Sequence, residues 1–301
     1  MSEKVFNLGS INQDKTIKLP RFPNPGETLA AQEVSACLGG KGLNISLALH
    51  NAGQVVTHIG AVHVNDIDTV SVIERFGLKT HAVERSTHST GQAYVLLDDD
   101  RENAIVLCAG ANAEISQNHI TQCLRTAKSG DWLVLQNETN NQHYAVEKAR
   151  ARGMNIGLVA APFDADLVRS MLDDLNLLVL NEIEAQQLEH ALNTSVAAIG
   201  IPLVVVTKGV KGATLYRDST PIHIASLQVK PIDTTAAGDT FFGFFLGAVL
   251  GGLSDKDALH RANAAAALST EGYGAVGPLP RRADIERAMA ERPVRRQGAV
   301  A

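Results

Sequence analysis

The stretch Asp233-Thr-Thr-Ala-Ala-Gly-Asp-Thr240, running into FFGFFLGAVLGGL, has the composition of an anion site at the start of a buried helix. Small residues precede a long apolar run. The backbone N–H groups of Ala236, Ala237 and Gly238 therefore point, uncovered, at whatever lies ahead of the helix, and phosphate is the natural occupant. Asp239 falls in the first helical turn, beside that anion. A carboxylate there repels phosphate unless it has a task, and taking the proton from a hydroxyl that attacks phosphorus is such a task. The other reading is that Asp239 only caps the helix.

A second group lies near the N-terminus. Gly9-Ser-Ile-Asn-Gln-Asp14 reads as the end of a first strand, with Asn12 and Asp14 two apart and pointing the same way. Two such side chains on one face can grip a polyol. Gly39-Gly-Lys-Gly-Leu-Asn44 opens a helix, its glycines allow backbone to approach a ligand closely, and Asn44 faces out of the first turn. A plain tight turn accounts for the same glycines. Glu138, in Leu135-Gln-Asn-Glu138 after a strand, reads on its own as an exposed loop carboxylate, and Glu184 as a solvated helix residue.

These residues need a scaffold, and the chain alternates short β-rich runs with helical ones. Strands are expected at Val5–Gly9, near Val55–Ala61, and at Trp132–Gln136, Ile156–Ala160, Leu177–Leu180 and Leu203–Thr207. Helices are expected at Asn44–Ala52, Asn141–Arg152 and Leu167–Leu175. Repeated strand–helix–strand units build a doubly wound parallel sheet with its sites at the carboxyl ends of the strands. Two segments break the alternation. Ile17–Ala36 carries three prolines and then strand character, and Gln92–Leu97 with Ala104–Cys108 flank the polar turn DDDREN as a hairpin. They read as a small β lid over one edge, in segments of about 15–36 and 90–109. The whole is one domain over 1–292, with a basic, Gly/Ala-rich flexible tail at 293–301.

Together these motifs resemble the ribokinase-like, or PfkB, family of carbohydrate kinases, from Asn7 to about Arg282 and in the family order. The 233–239 stretch is similar to its signature D-T-x-G-A-G-D, with Ala236 at the first Gly. GSINQD, Pro25-Gly-Glu-Thr28 and GGKGLN resemble its N-terminal half. The resemblance implies a ribokinase-like three-layer α/β/α fold and transfer of a phosphoryl group from ATP to a sugar hydroxyl, with Asp239 as base and Ala236 to Gly238 as anion hole. It implies sugar contacts from Asn12, Asp14, Gly40, Lys41, Asn44 and Glu138, with D-ribose the best single substrate and nucleosides the alternative. Leu180-Asn-Glu-Ile-Glu184 resembles the family's N-x-x-E motif, which implies Asn181 near the phosphates and Glu184 organising Mg²⁺ through water. Val206-Thr-Lys-Gly-Val-Lys-Gly212 resembles its T-x-G-x-x-G loop, which implies nucleotide contacts from Thr207, Gly209 and Gly212, with Asn263 near the purine. An activating K⁺ is implied at Asp233, Thr235, Ser269, Gly272 and Gly274, one side-chain ligand short because Pro278 stands where a hydroxyl is usual. Ile45, where many members carry Gln, is assigned to the sugar side. The segments near 61–68 and 189–202 are shorter than the family's.

Composition excludes several other classes. The chain of 301 residues is 45% hydrophobic and 20% charged, as soluble globular proteins are, with a net charge of −5 and only 4% aromatics. That leaves no basic field and few stacking platforms for nucleic acid. No apolar run reaches the ~20 residues of a membrane span. MSEKVFNLGS lacks the pattern of a signal peptide, and three cysteines without metal or redox spacing read as reduced thiols in a cytoplasm. There is no Walker A sequence and no G-x-G-x-x-G after the first strand, which argues against a P-loop kinase and a dinucleotide-dependent oxidoreductase. A non-catalytic sugar sensor would need a lost base or a broken anion hole. Pairing of exposed lids in a homodimer would cover their edges.

Overall fold

The computed structural model describes residues 3–100 and 103–292, so the 293–301 tail and the tip of the DDDREN turn lie outside it. Nine strands form the main sheet: β1 (Val5–Leu8), β4 (Val56–His63), β5 (Val83–Ser86), β8 (Trp132–Gln136), β9 (Asn155–Val159), β10 (Leu177–Asn181), β11 (Leu203–Thr207), β12 (Ala213–Arg217) and β13 (Thr220–Ile224). Their spatial order is β13-β12-β11-β10-β9-β8-β1-β4-β5. All neighbours are parallel except β11–β12 and β12–β13, which are antiparallel at one edge.

Both faces of this sheet are covered, which is why its central strands read as continuous apolar runs. Alternate residues go to opposite cores. Trp132, Val134, Leu177, Val179, Leu203 and Val205 pack with Phe241, Phe242 and Phe245, while Leu133, Leu135, Leu178, Leu180, Val204 and Val206 pack with Ile120, Val146, Val168 and Leu188. The first face carries α1 (Lys41–Asn51), α7 (Ala237–Leu250) and α8 (Asp255–Ser269), and the second carries α3 (Gln117–Leu124), α4 (Gln142–Arg150), α5 (Ala165–Met171) and α6 (Glu182–Leu192). Helix α2 (Ile67–Arg75) packs beside α1, and α9 (Arg282–Glu291) against α8.

A separate four-stranded sheet has the order β3-β2-β6-β7, from β2 (Asn12–Lys18), β3 (Glu33–Gly39), β6 (Gly91–Leu97) and β7 (Asn103–Cys108). Asn12 and Asp14 belong to β2 of this small sheet, not to the end of the first strand. Its pairings, Asn12 with Gly39 and Gly91 and Asp14 with Cys37 and Ala93, are long-range and leave little local trace.

Helices α1 and α7 lie close and parallel, and sequence spacing sets their contact. A Cβ on Gly243 would fall 2.4 Å from Ala48 Cβ, and one on Gly247 would fall 2.6 Å from Ala52 Cβ. Residues 239, 243 and 247 share one face of α7, as 44, 48 and 52 share one side of α1 and its C-cap, because each set is spaced by four. The close approach therefore brings Asp239 beside Asn44.

Candidate active site

Several main strands end around one polar pocket, and the small sheet supplies its other wall. Ser10 follows β1. Its hydroxyl donates to Glu138 Oε2 and accepts from the Gly42 N–H at 3.2 Å. Glu138 Oε2 also accepts from the Lys41 N–H at 3.2 Å, and its Oε1 lies 3.7 Å from Lys41 Nζ. The Leu43 N–H donates to the Ser10 carbonyl and the Asn44 N–H to the Gly40 carbonyl, so the first turn of α1 has all its donors engaged. Gly40 makes this possible at φ +97°, where a side chain is strained.

From the small sheet, Asn12 Oδ1 accepts from Asn112 Nδ2 at 2.8 Å, and the Asp14 carboxylate lies against Gly39, where a Cβ would meet Oδ2 at 2.0 Å. Asp14 Oδ1 and Asn44 Oδ1 are buried with no hydrogen-bond partner among the described residues. Buried oxygens of this kind lack the bonds that water or a ligand hydroxyl would supply. Burial, with the fields of Glu138 and Asp239, pushes the Asp14 carboxyl up to about 7, against the opposing pull of Lys41.

Asp239 stands at the inner end of this pocket, 7% exposed, with Oδ2 accepting from Asn44 Nδ2 at 2.9 Å. Burial raises its pKa; Lys41 and the Asn44 hydrogen bond pull the other way, and Glu138 adds to the rise. It is thereby a stronger base than a solvated aspartate. Burial lowers the Lys41 pKa, but Asp239, Glu138, Glu184 and Asp14 outweigh it and hold the ammonium charged.

In contrast to α1, the start of α7 keeps open donors. Its N-cap residue, Ala236, has no side-chain cap and adopts φ +59°. The N–H groups of Ala236, Gly238 and Asp239 have no hydrogen-bond partner among the described residues, and a Cβ on Gly238 would meet nothing within 4 Å. The expected hole differs in one member, because the Ala237 N–H donates to the Thr234 carbonyl at 3.2 Å. The reading of Asp239 as a mere cap fails on the same geometry. Its carboxylate turns to Asn44 rather than back onto the helix N–H groups.

Across this helix start opens a cleft of about 630 Å³, lined by Thr207, Gly209, Gly212, Gly238, Asn263 and the apolar Leu227, Val229 and Ala266 among others. Gly212 has φ +97°, and a Cβ there would fall 2.0 Å from the Ile224 carbonyl oxygen. Asn263 Nδ2 is held by that same carbonyl at 2.8 Å. An apolar slot ending at free helix N–H groups suits a nucleotide, with its base in the slot and its phosphates at the helix.

Asn181 and Glu184 are outside the lining of this cleft. They form a capping box at the start of α6, Glu184 N–H to Asn181 Oδ1 at 2.9 Å and Asn181 N–H to Glu184 Oε2 at 2.8 Å. Burial raises the Glu184 pKa and its field reaches Lys41, so it belongs to the carboxylates around that lysine. Among the described residues no His, Cys, Asp and Glu cluster builds a metal cage by itself. Four carboxylates around one ammonium suit a divalent cation arriving with phosphates, which needs only one or two protein carboxylates.

The loops before α7 and after α8 are tied together. Asp233 Oδ1 accepts from the Thr235 N–H and hydroxyl, and Oδ2 from the Gly274 N–H. These bonds outweigh burial and keep its pKa low. Pro278 packs on Gly272, and the Ser269 hydroxyl turns back to the Ala266 carbonyl. Asp233 is an ionised carboxylate between these loops, and Pro278 brings no side-chain oxygen to them. Ile45 is not on the sugar side. It is fully buried among Val5, Leu49 and Trp132, and its side chain faces the sheet.

A family model described as "pfkB family carbohydrate kinase" matches residues 2–282. The chain belongs to the pfkB family of carbohydrate kinases. It is therefore a phosphotransferase acting on a sugar hydroxyl. It is 33% identical over 297 residues to a ribokinase of Haemophilus influenzae, covering 94% of this chain and 97% of the relative. A ribokinase structure from Thermotoga maritima superposes with a TM-score of 0.84 at 27% identity, covering 97% of this chain and all of the other. The Arabidopsis thaliana ribokinase solved with ribose and ATP gives 0.81 at 25% identity, over 96% and 99%.

Sequence reasoning missed Ser10 and Asn112, which hold Glu138 and Asn12 in place, and the apolar lining of the nucleotide cleft. Asn112 could have been suspected from Gly110-Ala-Asn112 following the hairpin, since Gly110 adopts φ +51° and turns the chain back into the pocket. The lining residues Leu227 and Val229 carry no local signal.

Proposed function

We propose that this kinase transfers the γ-phosphoryl group of ATP to the primary hydroxyl of D-ribose, giving ribose 5-phosphate. The observation that carries the reading is the seat of Asp239, buried between a polar pocket with orphaned oxygens and a helix start with open N–H donors. Asn12, Asp14, Gly40, Lys41, Asn44 and Glu138 hold the sugar. Asp14 Oδ1 and Asn44 Oδ1 accept its hydroxyls. Thr207, Gly209, Gly212 and Asn263 hold the nucleotide, with Asn181 nearer the phosphates. Asp239 takes the proton of the attacking hydroxyl, and the N–H groups of Ala236 and Gly238 stabilise charge growing on the phosphoryl group. Glu184 would help hold Mg²⁺, and the ion would supply neutralisation of phosphate charge. K⁺ would sit among Asp233, Thr235, Ser269, Gly272 and Gly274 and steady the helix start.

The small sheet acts as a lid that excludes water when sugar binds. Its exposed Val34, Ile105, Val106 and Leu107 make it the face on which two copies pair. The protein works in the cytoplasm. No helix among the described residues is long and apolar enough to cross a membrane.

The test is an ADP-release assay with ATP, Mg²⁺ and K⁺ across pentoses, hexoses and nucleosides. Fast turnover on ribose supports the reading. Turnover only on a nucleoside keeps the chemistry and moves the substrate, and sugar binding without turnover on any acceptor overturns catalysis.

A further inference from the structure

Beneath the sugar pocket, four buried polar side chains form one hydrogen-bonded chain that phosphoryl transfer does not use. Gln136 Nε2, at the end of β8, donates to Asn7 Oδ1 of β1 at 2.8 Å. Asn7 Nδ2 donates to Ser46 Oγ of α1 at 2.7 Å and to the Gly42 carbonyl at 2.7 Å. Ser46 Oγ meets His58 Nδ1 of β4 at 2.8 Å. None of the four is more than 1% exposed.

The direction of the first two links follows from their amide donors. An amide nitrogen only donates, so Ser46 Oγ accepts from Asn7 Nδ2, and the Ser46–His58 bond runs in the direction that the imidazole tautomer sets. His58 Nε2 is buried with no hydrogen-bond partner among the described residues. Burial lowers the His58 pKa to about 4, so the ring stays neutral at neutral pH.

The chain also joins two walls of the pocket. Gln136 lies two residues before Glu138; Gly42 follows Lys41 directly, and Gly42 and Ser46 bracket Asn44. At this point α1 sits directly on backbone. A Cβ on Gly42 would fall 2.3 Å from Gly9 Cα, so no side-chain layer sets the height of the helix over β1. Directed bonds from Asn7 to Gly42 and Ser46 do so instead. An apolar contact would tolerate a small slide of the helix, whereas a directed chain would have to break.

We infer that the Gln136–Asn7–Ser46–His58 chain is a positioning element that fixes the separation between Glu138 and the Lys41–Asn44 turn, and so the fit of the acceptor sugar. The inference rests on the reading of this pocket as the sugar site. To keep the two apart, kinetics are measured on whichever acceptor of the pentose, hexose and nucleoside panel the wild type phosphorylates fastest.

Three variants test it: Ser46→Ala removes the central link, Ser46→Thr retains the hydroxyl, and the double variant Ser46→Ala with His58→Phe replaces both partners by apolar groups. Ser46→Ala is expected to raise the acceptor KM about tenfold with ATP KM within about twofold of wild type, since small displacements in a positioned site are costly. Ser46→Thr should return the acceptor KM toward wild type. The double variant should regain thermal stability but keep the raised acceptor KM. An acceptor KM within about twofold of wild type in Ser46→Ala, or recovery of both stability and KM in the double variant, would overturn the inference. If Ser46→Ala fails to fold, the double variant decides alone.

Discussion

Replacing Asp14 by Asn should stabilise the ligand-free protein, and more so as pH rises. Asp14 is pushed from an ordinary 3.8 to about 7, chiefly by burial and then by Glu138 and Asp239. Between those values the native state holds a proton that the unfolded chain has released. The unfolded state then binds fewer protons, so stability falls as pH climbs through that window. The gap converts, at ~1.4 kcal/mol per pH unit, to about 4 kcal/mol against folding above pH 7. That is an upper figure, because Glu138 and Asp239 also relax when one charge of the cluster is removed. Asn cannot ionise and escapes the cost. Urea unfolding of wild type and Asp14→Asn without ligands should show an advantage for the variant that widens by roughly 2–3 kcal/mol between pH 5 and pH 8. The same variant should lose sugar affinity. A pH-independent difference, or a variant less stable than wild type at pH 8, would refute this account of the pocket's electrostatics.

Two further substitutions probe the reacting end of the site. Ala236 occupies φ +59°, where a Cβ costs ~1–2 kcal/mol. Ala236→Gly should therefore raise the midpoint of thermal unfolding by about 2–4 °C with turnover largely kept, and an unchanged or lower midpoint would count against the strain. The Asn44 hydrogen bond holds the Asp239 pKa down against burial. In Asn44→Ala that pull is gone, so the acid limb of the kcat–pH profile should move to higher pH, and an unmoved limb would show that Asp239 is not the titrating base.

The main sheet was legible because its strands are buried on both faces. Trp132–Gln136 and Leu203–Thr207 appear with the very limits their apolar runs suggest. The seat of Asp239 was legible too, because small residues before an apolar helix announce an open helix start. Less was visible where long-range pairing decides. Asn12 and Asp14 sit on a strand defined by partners at Gly39 and Gly91, which no local pattern reveals. Ile45 follows a pocket residue yet packs in the core, since the next position on a helix turns ~100° away. The capping box that engages Asn181 and Glu184 is encoded in the N-x-x-E spacing itself, which serves the helix start as well as the family motif. The loss of the Ala237 N–H to Thr234 depends on the exact turn at Ala236, which only coordinates supply.

Asp239→Asn is the most direct test of the central claim. The substitution keeps shape and the contact with Asn44 while removing the proton acceptor. Turnover should fall by about three orders of magnitude or more, with calorimetric affinities for sugar and ATP held within a few-fold. Turnover within about tenfold of wild type in that variant would contradict the role of Asp239 as catalytic base.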